Sequence, residues 1–229
     1  MSDSIHGDTR VPASADTDAM EWTKSPSGTV WRKRVHRVGP PESGQVTSVV
    51  RYAPGAEFPA HDHPDGEEIL VLEGVFSDEQ GDWPAGTFLL NPEGFRHAPR
   101  SGPGCVLFVK LRQYPGPDRR HVALQTRDLE WRPAEDAGVE TKPLYAEAGH
   151  PESMALERWA PGARPGVRAV PGGVELFTLA GEWTDEHGAH ARGSWLRLPP
   201  GARHRARTDT GCTLYVKRGG VGELARQSD

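Results

Sequence analysis

Three histidines and a glutamate within residues 55–110 stand at spacings that suit a single metal ion. The stretch reads Gly55-x5-His61-x-His63-x3-Glu67-x6-Gly74, then Gly86-x5-Pro92-x-Gly94-x2-His97. Side chains alternate along a strand, so His61 and His63 share a face. Pro64-Asp65-Gly66 forms a turn, after which Glu67 opens a returning strand beside the two imidazoles. His97 joins from a later strand, just past the Pro92–Gly94 turn. Imidazole nitrogens with one carboxylate suit a divalent transition metal better than calcium or magnesium, which take oxygen shells. The candidate ligands are therefore His61, His63, Glu67 and His97, holding one ion per chain: iron or zinc first, manganese or nickel next. An ion held this way keeps exchangeable positions, as a catalytic site requires. Glu67 is also the candidate catalytic base.

The elements that must position these residues occur twice. Residues 162–217 align without a gap to 55–110, and 22 of the 56 paired positions are identical. The shared residues are mostly turn formers, such as Gly74/Gly181, Gly86/Gly193, Pro92/Pro199 and Gly94/Gly201, together with Asp78/Asp185, His97/His204 and Cys105/Cys212. Backbone geometry is kept while side-chain chemistry diverges. Arg168, Val170 and Val174 replace His61, His63 and Glu67, so the second copy is expected to lack the metal. An Arg168 that points inward could receive an anion, but the plainer expectation is a filled structural unit. Glu68 points away from Glu67 on a regular strand and recurs as Glu175 without the ligands, so it is read as structural or as supporting the ligands from behind, and His204 as a pocket or surface residue. Each copy has a lead-in, Met20–Trp22 and Leu129–Trp131.

Composition bounds the rest. A chain with 27 Gly, 21 Pro and 35% hydrophobic residues favours short strands and frequent turns. Runs such as Thr47–Tyr52, Glu68–Leu72, Thr87–Leu90 and Cys105–Leu111 are strand-like, and the second copy repeats them. The net charge of −5 argues against a nucleic-acid partner. The basic run Arg32, Lys33, Arg34 and Arg37 is read as a solvated strand face. No apolar window approaches the ~18 residues of a membrane span, and no secretory leader is visible. Two cysteines are too few for a disulfide framework, which points to the cytoplasm, and both read as small buried hydrophobes. Residues 1–19 are expected to be a disordered lead, 20–112 the metal-binding domain and 113–229 a second, degenerate domain.

The paired motifs resemble those of the cupin superfamily, and the run HDHPDGEEILVLEGVFSDEQGDWPAGTFLLNPEGFRHAP is similar to ChrR-type cupins. The resemblance implies an all-β protein of two tandem jelly-roll barrels, with the four ligands above in the first. Ser101 stands where the second motif has Asn, which is not a ligand position. ChrR-type domains occur in zinc-binding anti-sigma factors, and related cupins include dioxygenases that cleave acetylacetone-type diketones. The resemblance therefore implies a non-haem metal oxygenase acting on a small dicarbonyl or hydroxy-ketone. The alternative is a non-catalytic zinc-binding sensor. The helical sigma-binding domain of the anti-sigma factors has no counterpart in the first 45 residues. A small-molecule ligand and a homodimer are the expected partners. Phe58, Phe88, Leu90 and Phe108 are the expected barrel-lining side chains.

Overall fold

The computed structural model describes residues 4–116, 118–166 and 168–224. It is nearly all β and divides into two units: Met1–Gly7 with Met20–Asp128, and Asp8–Ala19 with Leu129–Asp229. Each unit is a jelly roll built from the same antiparallel order. In the first, Val122–Gln125, Thr87–Asn91, Glu67–Ser77, Cys105–Leu111, Gln45–Tyr52, Val30–Val38 and Thr23–Lys24 lie side by side. In the second, the order is Ala13–Asp16, Ser194–Leu198, Val174–Asp185, Cys212–Arg218, Ser153–Trp159, Val139–Ala146 and Arg132–Pro133. A separate short pair, His61–His63 with Phe95–His97, closes one end of the first unit, and Arg168–Val170 with Ala202–His204 does so in the second.

The expectation of a disordered lead and a break at 112/113 is overturned. Ala13–Asp16 pairs with Ser194–Leu198 of the second unit, and Val122–Gln125 pairs with Thr87–Asn91 of the first. These two edge strands occupy the same place, since Ala13 opposes Arg197 and Val122 opposes Leu90, equivalent positions of the two copies. Each unit thus takes its edge strand from the segment that precedes the other. The Ser, Asp and Thr content of the first 19 residues masks this, because an edge strand needs few apolar side chains.

The long strands Glu67–Ser77 and Val174–Asp185 each change partners midway. Residues 67–70 pair with Thr87–Asn91, whereas 75–77 pair with Asp82–Pro84. Gly74 sits at the changeover with φ of 72°, and Gly181 does so in the second copy with φ of 74°. A Cβ on either would meet a backbone carbonyl oxygen, of Gly104 or of Gly211. Only glycine satisfies both constraints.

Alternation sorts the side chains. Ile69, Val71, Leu89, Leu107 and Val109 form the core of the first unit with Phe76 and Val50, and Tyr52, Phe58 and Leu111 pack against it. Phe58 is placed as expected, but Phe88, Leu90 and Phe108 are not part of this core. Leu89 and Leu107 face inward, so their strand neighbours are buried on the opposite sheet face. Leu176, Leu196, Leu198, Leu214 and Val216 do the same work in the second unit.

The basic strand is not a solvated face. Lys33 and Arg37 are buried, and the Arg34 side chain is only 10% exposed. Glu42 pairs with Arg32 at 3.2 Å and Arg34 at 2.8 Å. Lys33 and Arg51 both lie over the Trp22 ring, at 4.5 and 4.6 Å. Trp131 receives Lys142 and Arg158 at 4.8 and 4.6 Å. The two lead-in tryptophans are therefore platforms for cations, which keeps partly desolvated charges favourable. Cys105 and Cys212 are buried and free, as expected, and burial pushes their thiols up to about 11 and about 12.

Candidate metal centre

His61 and His63 stand two apart on one short strand, and His97 comes from the strand hydrogen-bonded to it, directly opposite His61. The three rings converge, with centroids 4.8 Å apart for His61–His63, 4.8 Å for His63–His97 and 5.8 Å for His61–His97. One nitrogen from each can be chosen so that all lie within 4.8 Å of one another. The Nε2 atoms of His63 and His97 are 2.9 Å apart. Two bonds of about 2.0–2.1 Å from one ion would span that gap. The cluster is able to hold a metal.

Glu67 begins the long strand two residues after the positive-φ Asp65. Its Oε2 is 3.4 Å from His97 Nε2 and 3.6 Å from His63 Nε2, against the cluster rather than within the tightest group. Asn91 is directly opposite in the ladder and donates from Nδ2 to that same oxygen at 2.9 Å. Both are buried, as are His63 and His97, whereas His61 is exposed and marks the open side.

The ring orientations are set from behind. His97 Nδ1 is 3.1 Å from Asp78 Oδ2, and Asp78 in turn accepts from the Trp83 indole at 3.1 Å and the Gln80 amide at 2.9 Å. Asp78 is held below the ordinary carboxylate range: burial opposes ionisation, but the hydrogen bonds to His97, Gln80 and Trp83 outweigh it. Asp78 thus engages Nδ1 of His97 and turns its Nε2 toward the cluster, the nitrogen a metal would take. The Pro59 carbonyl does the same for His61 through Nδ1, at 2.9 Å. Burial pushes His63 down, favouring its neutral form, despite the pull of Glu67. Burial also opposes charge on His97, but Asp78 and Glu67 together raise it above the usual histidine value.

Asp78 and Asn91 were not anticipated as site residues. Comparing the copies reveals both. Asp78 recurs as Asp185 within the shared DE-x-G turn. Asn91 becomes Leu198 where Glu67 becomes Val174, and both pairs face each other in register. A polar cross-strand pair was exchanged for an apolar one as a unit. Glu68, as expected, lies on the other face, where the Tyr114 hydroxyl donates to it.

In the second unit, Val170 and Val174 join the apolar core, and His204 keeps its carboxylate, with Nδ1 3.3 Å from Asp185 Oδ2. The Arg168 backbone pairs with His204, and its side chain lies outside the described residues.

Residues 11–115 and 119–222 each match the family described as ChrR Cupin-like domain. Among solved structures, the chain is similar to a proposed dioxygenase from Nostoc punctiforme, with 18% identity, a TM-score of 0.73 and coverage of 90% of this chain and 82% of that one. It is similar to a proposed glyoxylate-induced protein from Pseudomonas aeruginosa, with 12% identity, a TM-score of 0.73 and coverage of 91% and 88%. An oxalate decarboxylase variant from Bacillus subtilis follows the same path at 14% identity and a TM-score of 0.63, covering 90% and 76%. At these identities the likeness establishes the fold. No curated protein matches the chain. Among the described residues no helix is long and apolar enough to cross a membrane.

Proposed function

Because the chain belongs to the ChrR cupin-like domain family, in two tandem copies, we propose that its first unit is a mononuclear metal centre of an oxygenase acting on a small dicarbonyl or hydroxy-ketone. The observation that carries this reading is the convergence of His61, His63 and His97 beside the buried Glu67, with one open side. Those four residues would hold one divalent transition metal, iron or zinc first. The metal would supply Lewis acidity toward a substrate bound through two oxygens and, if iron, a place for dioxygen to react.

The chain's own residues have separable tasks. Asp78 fixes His97, and the Pro59 carbonyl fixes His61, so both present Nε2 without reorganisation. Asn91 holds one oxygen of Glu67 at 2.9 Å and so fixes the carboxylate beside the cluster, placed to ligate or to accept a proton from the carbon between two carbonyls. Phe58, Tyr52 and Phe76, in edge contact at 5.5 and 6.2 Å, wall the unit against water. Burial, reinforced by Glu67, raises the Tyr52 hydroxyl far above its usual range, so Tyr52 remains a neutral hydrogen-bonding group.

The test is elemental analysis of protein purified without added metal, then anaerobic iron loading and oxygen uptake with acetylacetone and hydroxyacetophenone. About one metal per chain, lost in His97→Ala, with substrate-dependent oxygen uptake supports the reading. Tightly held zinc and no uptake after iron loading would overturn the oxygenase in favour of a binding or sensing role.

A further inference from the structure

The second unit has exchanged the polarity of its interior rather than simply losing ligands. Val170, Val174 and His204 stand where the first unit has His63, Glu67 and His97. On the facing wall the change runs the other way. Glu157 takes the place of Val50, a core residue of the first unit, and Arg218 that of Leu111, which packs against that core. Glu157 is buried, accepting from Arg218 Nη2 at 2.6 Å and from the Trp159 indole at 2.9 Å. Burying the Glu157 carboxylate costs desolvation that an apolar residue in its place would avoid, while Arg218 keeps 39% of its side chain exposed.

Nor is the unit filled. A cavity of about 480 Å³ opens among Glu157, Trp159, Val170, Leu176, His204 and Arg218, within the roughly 300–1,000 Å³ range of small-molecule sites. His204 is 97% buried, being 3% exposed, and lines this space. Its Nδ1 is taken by Asp185, which also holds His190 at 2.9 Å beneath the Trp183 ring. Asp185 stays ionised well below the usual carboxylate range: its hydrogen bonds with His190 and His204 overcome the effect of burial. With Nδ1 of His204 turned to Asp185, its Nε2 faces the cavity and makes no hydrogen bond among the described residues.

The described lining is rich in acceptors. Glu135, Asp136 and Glu157 are carboxylates, while the one guanidinium, Arg218, is already bound to Glu157. The complement to such a wall is a donor-rich cation with an apolar body for Val170, Val174, Leu176 and Trp159. We propose that the second unit is a binding site for a small protonated primary amine, its ammonium group between His204 and Glu157 and its apolar body in the cavity. This site is independent of any metal in the first unit.

Benzylammonium, benzyl alcohol and benzoate share one apolar body with three different heads, and titrating each into the full-length protein tests the idea. Calorimetry is expected to show benzylammonium saturating one site per chain, with benzoate at least about tenfold weaker, while the Trp159 indole N–H resonance shifts. Val174→Phe fills the cavity without touching its polar groups and should abolish binding while leaving metal content unchanged. Glu157→Gln should weaken it about tenfold or more and serves if the Phe variant fails to fold. No saturable benzylammonium binding, benzoate binding as tightly, or binding unchanged in the folded variants would each overturn the proposal.

Discussion

At the residue scale, the work is done by hydrogen bonds that fix which nitrogen faces the site. Asp78 is the clearest case, because it presents His97 and is itself tied to Trp83 and Gln80. Removing such an orienting carboxylate commonly lowers metal affinity about 10–100-fold. Asp78→Ala is expected to do so, measured by competition with a chelator on protein whose circular dichroism is unchanged. The homologous Asp185 makes a different prediction, since its environment lowers its folded-state pKa. A carboxyl group of this kind stabilises the fold above its unfolded value, about 3.9, and loses that contribution as pH falls through the lower folded value. Asp185→Asn should therefore destabilise the second unit at neutral pH by roughly 1–3 kcal/mol and flatten its response to acid. Hydrogen exchange of second-unit amides across that pH range reads both. The ligand residues were legible in the sequence because metal chemistry restricts residue type and spacing together. Asp78 and Asn91 were harder, since an Asp in a turn and an Asn before Pro have ordinary local explanations.

At the scale of elements, strand assignments held where turn residues punctuated them, and inward orientation failed where apolar residues ran consecutively. In FLL at Phe88–Leu90, all three side chains are buried, so burial does not reveal which faces the core. The glycines of the changeover were visible as shared residues, and the structure supplies the reason. Gly74→Ala and Gly181→Ala must each accept a positive φ and displace a facing carbonyl. The conformational part alone costs about 1–2 kcal/mol, so each should destabilise its own unit by more than that. Protection factors should fall in the unit carrying the substitution and not in the other. Gly94→Ala has no atom within 4 Å of its new Cβ and faces only the φ cost at +80°, so it is the milder control.

At the scale of the whole molecule, the duplication was plain, but the exchange of edge strands was not. Alignment of the copies covers 55–110 and 162–217, whereas the exchanged strands Ala13–Asp16 and Val122–Gln125 lie outside that span, and each is only four residues long. Deleting residues 8–19 is expected to expose the edge Ser194–Leu198 and destabilise the second unit, while the first keeps its metal content. Limited proteolysis of the deleted protein checks this: cleavage should begin within 129–224. If instead the first unit is cleaved first, Ala13–Asp16 is not an integral strand of the second.

The partner of Ala13–Asp16 lies some 180 residues downstream, at Ser194–Leu198. A ribosome adding about 5–20 residues per second would hold that strand in waiting for roughly 10–40 seconds. Of the strands described, the earliest in the chain is thus among the last to be paired. During synthesis it can sample only wrong partners, including the equivalent edge Thr87–Asn91, which is destined for Val122–Gln125. Its polar sequence, ASAD, then has a second purpose: it binds any edge weakly, so an early mistake is easily undone.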